Sequence, residues 1–348
     1  MVLLLRNVTA KDVAIIVLNY AGWRDTILCV ESLLLLDYAA FRIVLCDNAS
    51  PDDSVARLQN WAKDRLPFLN EELSRNGKRK FGFSTAPKGL PGPARPPDEA
   101  QEVRDIVLIE TGQNFGYAGG NNVGIRYALQ DGECKYVWIL NNDTSVRPDS
   151  LAWLVQRMEE DGSIGVCGSV LCYMDRPDVV QYLAGSSFSK WKGRATPLGF
   201  RSRFADPVDI SDIERRLDFV VGACAFVSRR CIEAVGLMAE DLFLYGEELE
   251  WAQRIRKKFR LGFAPNSIVY HKVGASIGTK DVGTGSELSQ FYLTRNRVRL
   301  CARFAKRGLP FVFADIGRGM FRCLLAGQFR HAIVALRAIL GLPFRPSE

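Results

Sequence analysis

The sequence lacks features that would place the protein in a membrane or outside the cell. No run of about 18 apolar residues occurs, so no membrane-spanning helix is predicted. The apolar N-terminal stretch Val2–Leu5 is too short for a signal peptide, and no basic residues precede it. The nine cysteines form no Cys-x-x-Cys pair and lie mostly in apolar segments, which indicates buried free thiols in a reducing compartment. We therefore expect a cytoplasmic protein.

A strong charge of either sign is also absent. The 348 residues are 47% hydrophobic and 24% charged, with a formal net charge of +7. This balance is typical of a soluble globular protein with one large domain or two halves. The charge suits an anionic ligand or a membrane surface, but it is too small to predict nucleic-acid binding.

Apolar strands alternate with helices in the first half, which predicts an α/β, Rossmann-like, mostly parallel sheet flanked by helices. Open sheets of this kind bind ligands at the carboxyl ends of their strands. The polar residues that follow predicted strands are Asn19 and Tyr20 after Val13–Leu18, Asp47 after Phe41–Cys46, and Asn141-Asn142-Asp143 after Tyr136–Leu140. Asp143 can bind a divalent cation that bridges to phosphates, although a turn that simply ends the strand is an open alternative.

A glycine-rich segment, Asn114–Gly124, links a strand to a helix. Glycines let a backbone approach a phosphate, and a helix N-terminus favours negative charge, so Asn114, Gly119 and Asn122 are candidate ligand contacts. A glycine-rich turn without a ligand is equally compatible with the pattern. The dinucleotide and P-loop signatures are both missing.

A second polar cluster, Glu247, Glu248 and Glu250, begins a helix after an apolar stretch. Acids are favoured at helix N-termini, and Glu250 can pair with Arg254 four residues later. An ordinary charged helix start explains the cluster, but the position also suits a general base.

Three other sites in the second half are candidates. Gly222, in the predicted strand Leu217–Ser228, indicates the close approach of another backbone or a ligand. His271 ends a strand before residues 274–286, which can close as a lid, although a lone histidine is more often structural. Arg295 can bind a diphosphate or lie on a solvated helix face.

Three segments interrupt the alternating pattern. Residues 65–101 are rich in Gly, Pro and basic residues, which predicts an exposed, mobile insertion, and residues 185–212 are predicted to be loop-rich. The tail, residues 304–348, is basic and amphipathic. It is compatible with contact to an anionic membrane or with a helical pair packed on the domain.

Taken together and in order, these motifs resemble those of family 2 glycosyltransferases, most closely the bacterial rhamnosyltransferase-like members. The resemblance covers about residues 12–305 without the insertion. The matching segments are Ile16–Tyr20, Val44–Ser50, Asn114–Gly124, Ile139–Thr144, Gly246–Glu250 with Arg254, Tyr270-His271 and Tyr292–Asn296.

The resemblance implies a GT-A fold with a helical C-terminal tail. Residues 1–145 would hold the nucleotide sugar and residues 146–303 the acceptor. It also assigns roles to individual residues: nucleobase contacts to Asp47 with Asn19 and Tyr20, metal ligation to Asp143 and His271, a diphosphate contact to Arg295, and the catalytic base to Glu248. The metal would be Mg²⁺ or Mn²⁺.

Two departures from the family pattern bear on these roles. The metal motif has Asn141 in place of an aspartate, which leaves fewer charged ligands for a cation. Glu248 stands where aspartate is more usual, and a shift of about 1 Å can cost about 10²-fold in rate, so Glu247 or Glu250 are alternative bases. Asn142, Gly222, Glu247 and Glu250 are counted among the expected substrate contacts.

The implied function is inverting transfer of a sugar from a dTDP or UDP sugar to a cell-surface glycan or lipid-linked acceptor, at the inner face of the membrane. The rhamnosyltransferase-like subgroup favours L-rhamnose. A catalytically inactive sugar- or nucleotide-binding protein of the same fold is the alternative.

Overall fold

The computed structural model describes residues 12–86, 105–130, 132–272 and 286–344. Its strands are β1 (Val13–Asn19), β2 (Phe41–Asp47), β3 (Phe83–Thr85), β4 (Ile106–Glu110), β5 (Tyr136–Asn141), β6 (Thr144–Val146), β7 (Ile164–Tyr173), β8 (Val180–Leu183), β9 (Gly185–Ser189), β10 (Arg194–Pro197), β11 (Phe219–Val220), β12 (Cys224–Ser228) and β13 (Arg260–His271). Its helices are α1 (Trp23–Leu34), α2 (Ser54–Asp64), α3 (Leu66–Arg75), α4 (Gly116–Leu129), α5 (Ser150–Glu160), α6 (Ile210–Arg216), α7 (Arg229–Val235), α8 (Glu247–Ile255), α9 (Glu287–Phe304), α10 (Leu309–Leu325) and α11 (Phe329–Ile339).

A ten-stranded sheet forms the centre of the fold. Its strand order is β3-β4-β2-β1-β5-β12-β7-β13-β6, with β8 paired to β7. The pairs β1–β2, β1–β5, β2–β4, β3–β4 and β7–β13 are parallel, whereas β12 runs antiparallel to both of its neighbours. Since β12 is antiparallel to both β5 and β7, these two strands point the same way. The carboxyl ends of β1, β2, β5 and β13 therefore lie along the same edge of the sheet.

The sheet is buried on both faces, as a doubly wound fold requires. Along β1, Val13, Ile15 and Val17 belong to the core on one face, and Ala14 and Ile16 to the core on the other. Helices α1, α2, α3 and α5 cover the first face, and α4, α7 and α8 cover the second. The predicted α/β architecture is confirmed.

The predicted insertion at residues 65–101 is wrong for its first part. Helix α3 and strand β3 belong to the fold, and β3 pairs in parallel with β4. Leu66, Leu73 and Phe81 are buried in the core. The side-chain amide of Asn70 fixes the turn between α3 and β3, because it donates to the Phe81 carbonyl and accepts from the Phe81 N–H. Residues 65–86 therefore form part of the core fold. Residues 87–101 lie outside the described part of the chain.

The predicted loop at residues 185–212 is also wrong. It contains β9 and β10, which form a three-stranded antiparallel sheet with β11, and the start of α6. The single strand expected over Leu217–Ser228 is divided, with β11 in the small sheet and β12 in the large one. Strands this short, with half-exposed polar residues, carry too little apolar alternation to be recognised.

The C-terminal helices pack together on the second half of the chain. Phe291 of α9 is buried against Val334 and Ala338 of α11, and α10 contacts both helices. Among the described helices, none is long and apolar enough to cross a membrane. All nine cysteines are free and eight are buried, which confirms the expectation of buried thiols.

The burial of α3 leads to a stability prediction. Leu73→Ala should lower the free energy of unfolding by about 2–5 kcal/mol, because it leaves a cavity in the core. Phe68→Ala, on the exposed side of the same helix, is the matched control and should cost about 0.5 kcal/mol or less. Urea denaturation of both variants measures the difference, and equal small effects would show that α3 is peripheral.

Candidate active site

The carboxyl ends of β1 and β2 are joined by a buried polar network. The Asn19 side-chain amide donates to Asp47 Oδ1 at 2.7 Å, and Thr26 donates to Asn19 Oδ1 at 2.7 Å. Ser50 donates its hydroxyl to Asp47 Oδ1 at 2.6 Å and its N–H to Oδ2 at 3.1 Å. Tyr20, which follows, is 39% exposed. Asn19 and Asp47 are therefore buried and held in place at this edge of the sheet, and Tyr20 presents an exposed ring beside them.

The turn after β5 brings two predicted metal ligands together. His271 Nε2 lies 3.2 Å from Asp143 Oδ1, and both side chains are largely buried. The two segments are held in register by the pairing of Thr144 with His271, and by a hydrogen bond from the Lys272 N–H to the Asp143 carbonyl. Asn142 points the other way and donates to Thr26 Oγ1 and the Gly22 carbonyl. Asn142 thus positions the turn.

Gln181 of β8 fixes the orientation of the His271 ring. Its Oε1 lies 2.8 Å from His271 Nδ1, and its side chain is buried. When Nδ1 donates to Gln181 Oε1, Nε2 is the nitrogen that faces Asp143. Asp143 Oδ1 has no hydrogen-bond partner among the described residues. A carboxylate oxygen and an imidazole nitrogen therefore face each other, although no third Cys, His, Asp or Glu of the described chain joins them.

The glycine-rich start of α4 packs mainly against protein. Asn114 Oδ1 accepts hydrogen bonds from the Asn48 side chain and the Gly116 N–H, both at 2.9 Å. Gly116 has a φ of +70°, and a Cβ there would lie 2.2 Å from the Phe243 carbonyl oxygen. A Cβ on Gly119 would lie 2.5 Å from Phe115 Cβ. The glycines are needed at least for these close approaches.

Asn122 corrects the sequence prediction. It is buried, exchanges hydrogen bonds with the Met238 backbone in both directions, and also donates to Glu240 Oε1. Its amide therefore joins α4 to the segment before α8, the helix that begins with Glu247 and is called the acidic helix below. The structure does not bring it to the crevice.

Tyr117, which the sequence analysis missed, joins the two halves of the site. Its N–H donates to the Phe243 carbonyl at 2.7 Å, and its hydroxyl donates to the Gly222 carbonyl at 2.6 Å. The next residue along the Gly222 turn, Ala223, accepts from the Asn141 N–H. Gly222 is thus approached closely by the Tyr117 ring, and this contact ties the Asp143 turn to the acidic helix.

The loop before α8 has an unusual backbone. Phe243, Tyr245 and Gly246 all have positive φ, of 60°, 67° and 92°. The Asn296 side-chain amide of α9 lies within 2.7–2.9 Å of three carbonyls in this loop and holds it in place. Such over-determined strain is often found at functional sites. Its result is that α8 starts with Glu247 and Glu248 directed inwards.

The three acids of α8 have different surroundings. Glu250 is held by Arg254 through both carboxylate oxygens, and Arg254 also donates to the Val235 and Leu237 carbonyls. This arrangement is structural and argues against Glu250 as a base or a substrate contact. Glu248 Oε2 accepts from the Gly246 N–H at 3.1 Å, and Glu248 lines a largely apolar cavity of about 20 Å³.

Burial raises the pKa of both remaining acids. The pKa of Glu248 is raised by desolvation, against the smaller effect of backbone hydrogen bonds. The pKa of Glu247 is raised well above its ordinary value by desolvation and then by the charge of Glu248, and its Oε2 has no partner among the described residues. Two neighbouring carboxylates in such a site titrate as a pair. At least one is thereby made more basic than a surface glutamate.

Arg295 lies on α9 beside this loop. Within the described chain it makes no ion pair, and its Nε has no hydrogen-bond partner. Its guanidinium is 6.0 Å from the Phe291 ring, and the neighbouring Tyr292 stacks on Phe243. The cation is thus available to an anion. Of the lid predicted at residues 274–286, all but Ser286 lie outside the described residues.

Comparison with known proteins supports the family resemblance that the sequence motifs predict. The model for glycosyl transferase family 2 matches residues 93–236. Over 154 residues the chain is 27% identical to the low-salt glycan biosynthesis hexosyltransferase Agl10 of Haloferax volcanii, a match that covers 44% of this chain and 47% of the relative. Over 203 residues it is 24% identical to the dTDP-rhamnosyl transferase RfbF of Shigella flexneri, a match that covers 57% of this chain and 64% of the relative. Both relatives and the family model support the resemblance to family 2 glycosyltransferases.

The chain also shares its fold with solved structures. The mannosyltransferase PcManGT from Pyrobaculum calidifontis, in complex with GDP-Man and Mn²⁺, superposes with a TM-score of 0.53 at 14% identity, covering 95% of this chain and 88% of that one. The predicted GT-A fold and rhamnosyltransferase-like resemblance are both confirmed. The matched segments span about half to two-thirds of the curated relatives' own lengths.

The raised pKa of Glu247 predicts a pH-dependent stability. An acid with a higher pKa in the folded chain destabilises the fold as the pH rises from its ordinary value, 4.5, towards the raised pKa. Glu247→Gln removes this penalty. We expect the variant to gain unfolding free energy relative to wild type as the pH rises above 4.5, with the difference smallest below that pH.

Urea unfolding across this pH range measures the effect. Glu71→Gln, in an exposed pair with Arg75 on α3, is the matched control and should show no such trend. A wild-type minus variant difference that does not change with pH would mean that Glu247 is not buried as a carboxyl group.

Proposed function

We propose that the protein transfers a sugar from a nucleoside-diphosphate sugar to an acceptor hydroxyl. The observation that carries the proposal is the linkage through Tyr117, which lies near both the acids of α8, Glu247 and Glu248, and Asp143. Burial and the carboxylates of Glu248, Glu247 and Asp143 all contribute to raising the pKa of Tyr117. The phenol therefore remains a neutral donor and lies close to both groups of acids.

In this proposal the nucleotide lies over the β1–β2 edge. Tyr20 presents an exposed ring to the nucleobase, and Asp47 Oδ2 retains a lone pair for a base N–H beyond the bond from Ser50. Asn19 holds Asp47 in place. Arg295, with no ion pair among the described residues, offers a planar donor fork to the diphosphate.

The Asp143–His271 pair fits a divalent cation. An unpartnered carboxylate oxygen faces a histidine nitrogen whose tautomer Gln181 fixes, and both atoms are ligands of such ions. We therefore assign these two residues as ligands for Mg²⁺ or Mn²⁺. When bound, the ion would offset negative charge on the leaving diphosphate.

We assign Glu248 as the general base. It would accept the proton of the acceptor hydroxyl while the acceptor oxygen bonds to the anomeric carbon and the bond to the nucleoside diphosphate breaks. A raised pKa suits this task, because a stronger base accepts the proton more readily. Such a single displacement inverts the anomeric configuration, and a retained configuration in the product, measured by NMR, would contradict it.

The names of two relatives support a choice of donor and acceptor. The name of the RfbF relative favours a dTDP-sugar, with L-rhamnose as the first candidate, and a UDP-sugar is the second. The name of the Agl10 relative favours an acceptor in glycan biosynthesis, and we propose a glycan or its lipid-linked precursor. Release of dTDP or UDP from a panel of sugar nucleotides decides between the donors.

The base assignment is tested with Glu248→Gln, which keeps the size of the side chain and removes its basicity. We expect donor binding within about threefold of wild type and turnover reduced by about 10²-fold or more. Binding is measured by calorimetry, and turnover by nucleotide release in the presence of Mn²⁺. The matched control, Glu71→Gln, should turn over normally.

Each other result has a defined meaning. Full turnover by Glu248→Gln would transfer the base role to Glu247 or to solvent. Nucleotide binding without turnover by the wild type, across the donor panel and with glycan acceptors added, would favour the catalytically inactive, sugar-nucleotide-binding alternative.

A further inference from the structure

Helix α11 carries an apolar stripe that no described residue covers. Phe329, Ile333, Leu336 and Leu340 are spaced four, three and four residues apart, which places them on one helix face. They are 45–62% exposed. The opposite face, with Ala335 and Ala338, is already buried against α9 and α10. The exposed stripe is therefore additional to the face that folds the helix onto the protein.

Helix α10 carries a similar stripe. Phe313, Phe321, Leu324 and Leu325 are exposed, and Leu325 is 73% exposed. The residues that hold α10 in place, Val312 and Ile316, lie on another side of the helix and are buried. Single exposed apolar residues are ordinary, but eight large ones on two connected helices indicate a binding surface. We call the exposed side of α10 and α11 the hairpin surface.

The charge around the hairpin surface is mainly positive. Arg318 and Arg322 project from α10 next to the apolar stripe, and Arg330 and Arg337 do so from α11. No acidic residue occurs from residue 316 to residue 347. Two acids lie near this border: Glu287 of α9 pairs with Arg330, and Asp315 is shared by Arg318 with Arg194 and Arg297. The surface is thus apolar with a border on which arginines outnumber acids.

We propose that the hairpin surface docks onto the headgroups of an anionic lipid bilayer. Apolar side chains would enter the interface while the arginines at their border meet anionic headgroups, as in interfacial amphipathic helices. A second copy of the chain fits poorly, because a two-fold pair would set two surfaces with an excess of arginine against each other. This inference rests on the C-terminal helices alone and does not depend on the proposed sugar transfer.

Docking there would orient the site towards the membrane. Helix α11 packs directly on Phe291 of α9, and α9 also carries Arg295 and Asn296. A lipid-linked acceptor in the same bilayer would then reach the crevice without leaving its leaflet. The hairpin surface would then fix the distance between the bilayer and the crevice.

Vesicle flotation with the full chain tests the proposal. We expect the wild type to float with vesicles of phosphatidylcholine containing 30% phosphatidylglycerol, and far less with pure phosphatidylcholine. Phe321→Ser/Phe329→Ser should weaken binding by about 100-fold, from about 1.5 kcal/mol per buried side chain. Arg318→Gln/Arg322→Gln should weaken it by about 30-fold, from about 1 kcal/mol per arginine at the surface.

Matched controls separate docking from misfolding. Leu28→Ser removes an equally exposed apolar side chain on α1, and Arg75→Gln removes an exposed arginine on α3. Both should float like wild type, and every variant should keep its nucleotide affinity. No flotation by the wild type would overturn the proposal. If light scattering then showed a dimer that Phe321→Ser/Phe329→Ser dissociates, the surface would be an interface between copies.

Discussion

The site depends on two hydrogen bonds made by Tyr117. Its N–H holds the loop at Phe243, and its hydroxyl holds the Gly222 turn, which in turn is bonded to the backbone of Asn141. These bonds add a polar link between α8 and the Asp143 turn to the apolar packing of Trp251 and Ile255 in the core that also holds Ile139 of β5. Tyr117, at the start of α4, thus helps to set the spacing between two groups. One is Asp143, which we assign to the leaving diphosphate, and the other is Glu248, which we assign to the attacking hydroxyl.

The same region concentrates the local cost of the fold. Phe243 and Tyr245 have positive φ, and desolvation raises the pKa of the buried Glu247 and of its half-buried neighbour Glu248 at the start of α8. Each feature destabilises the folded chain, and Asn296 counteracts the first by holding three loop carbonyls. A surface charge network would need none of this. The arrangement is therefore more readily explained by chemistry at Glu248 than by structure alone.

Sequence reasoning found the residues that end strands and missed those that connect elements. Asp143 and His271 each followed a buried strand, so their meeting at one sheet edge was predictable from topology. Gln181 and Tyr117 had no such mark, because their partners lie far along the chain and are brought near only by packing. Asn122 was predicted to contact substrate, because its partner Met238 also lies far along the chain and could not be recognised from the sequence. Short strands and a helix of mixed polarity in residues 65–101 also lacked a periodic pattern.

Metal-dependent nucleotide binding is the most direct test of the account. Calorimetry would measure the affinity for dTDP, UDP and GDP with and without Mn²⁺, for wild type, Asp143→Ala and the exposed control Asp37→Ala at the opposite sheet edge. The account predicts that Mn²⁺ strengthens binding of one nucleotide by about tenfold or more in wild type and control, and not in Asp143→Ala. Equal binding in all three proteins, or no binding of any nucleotide, would contradict it.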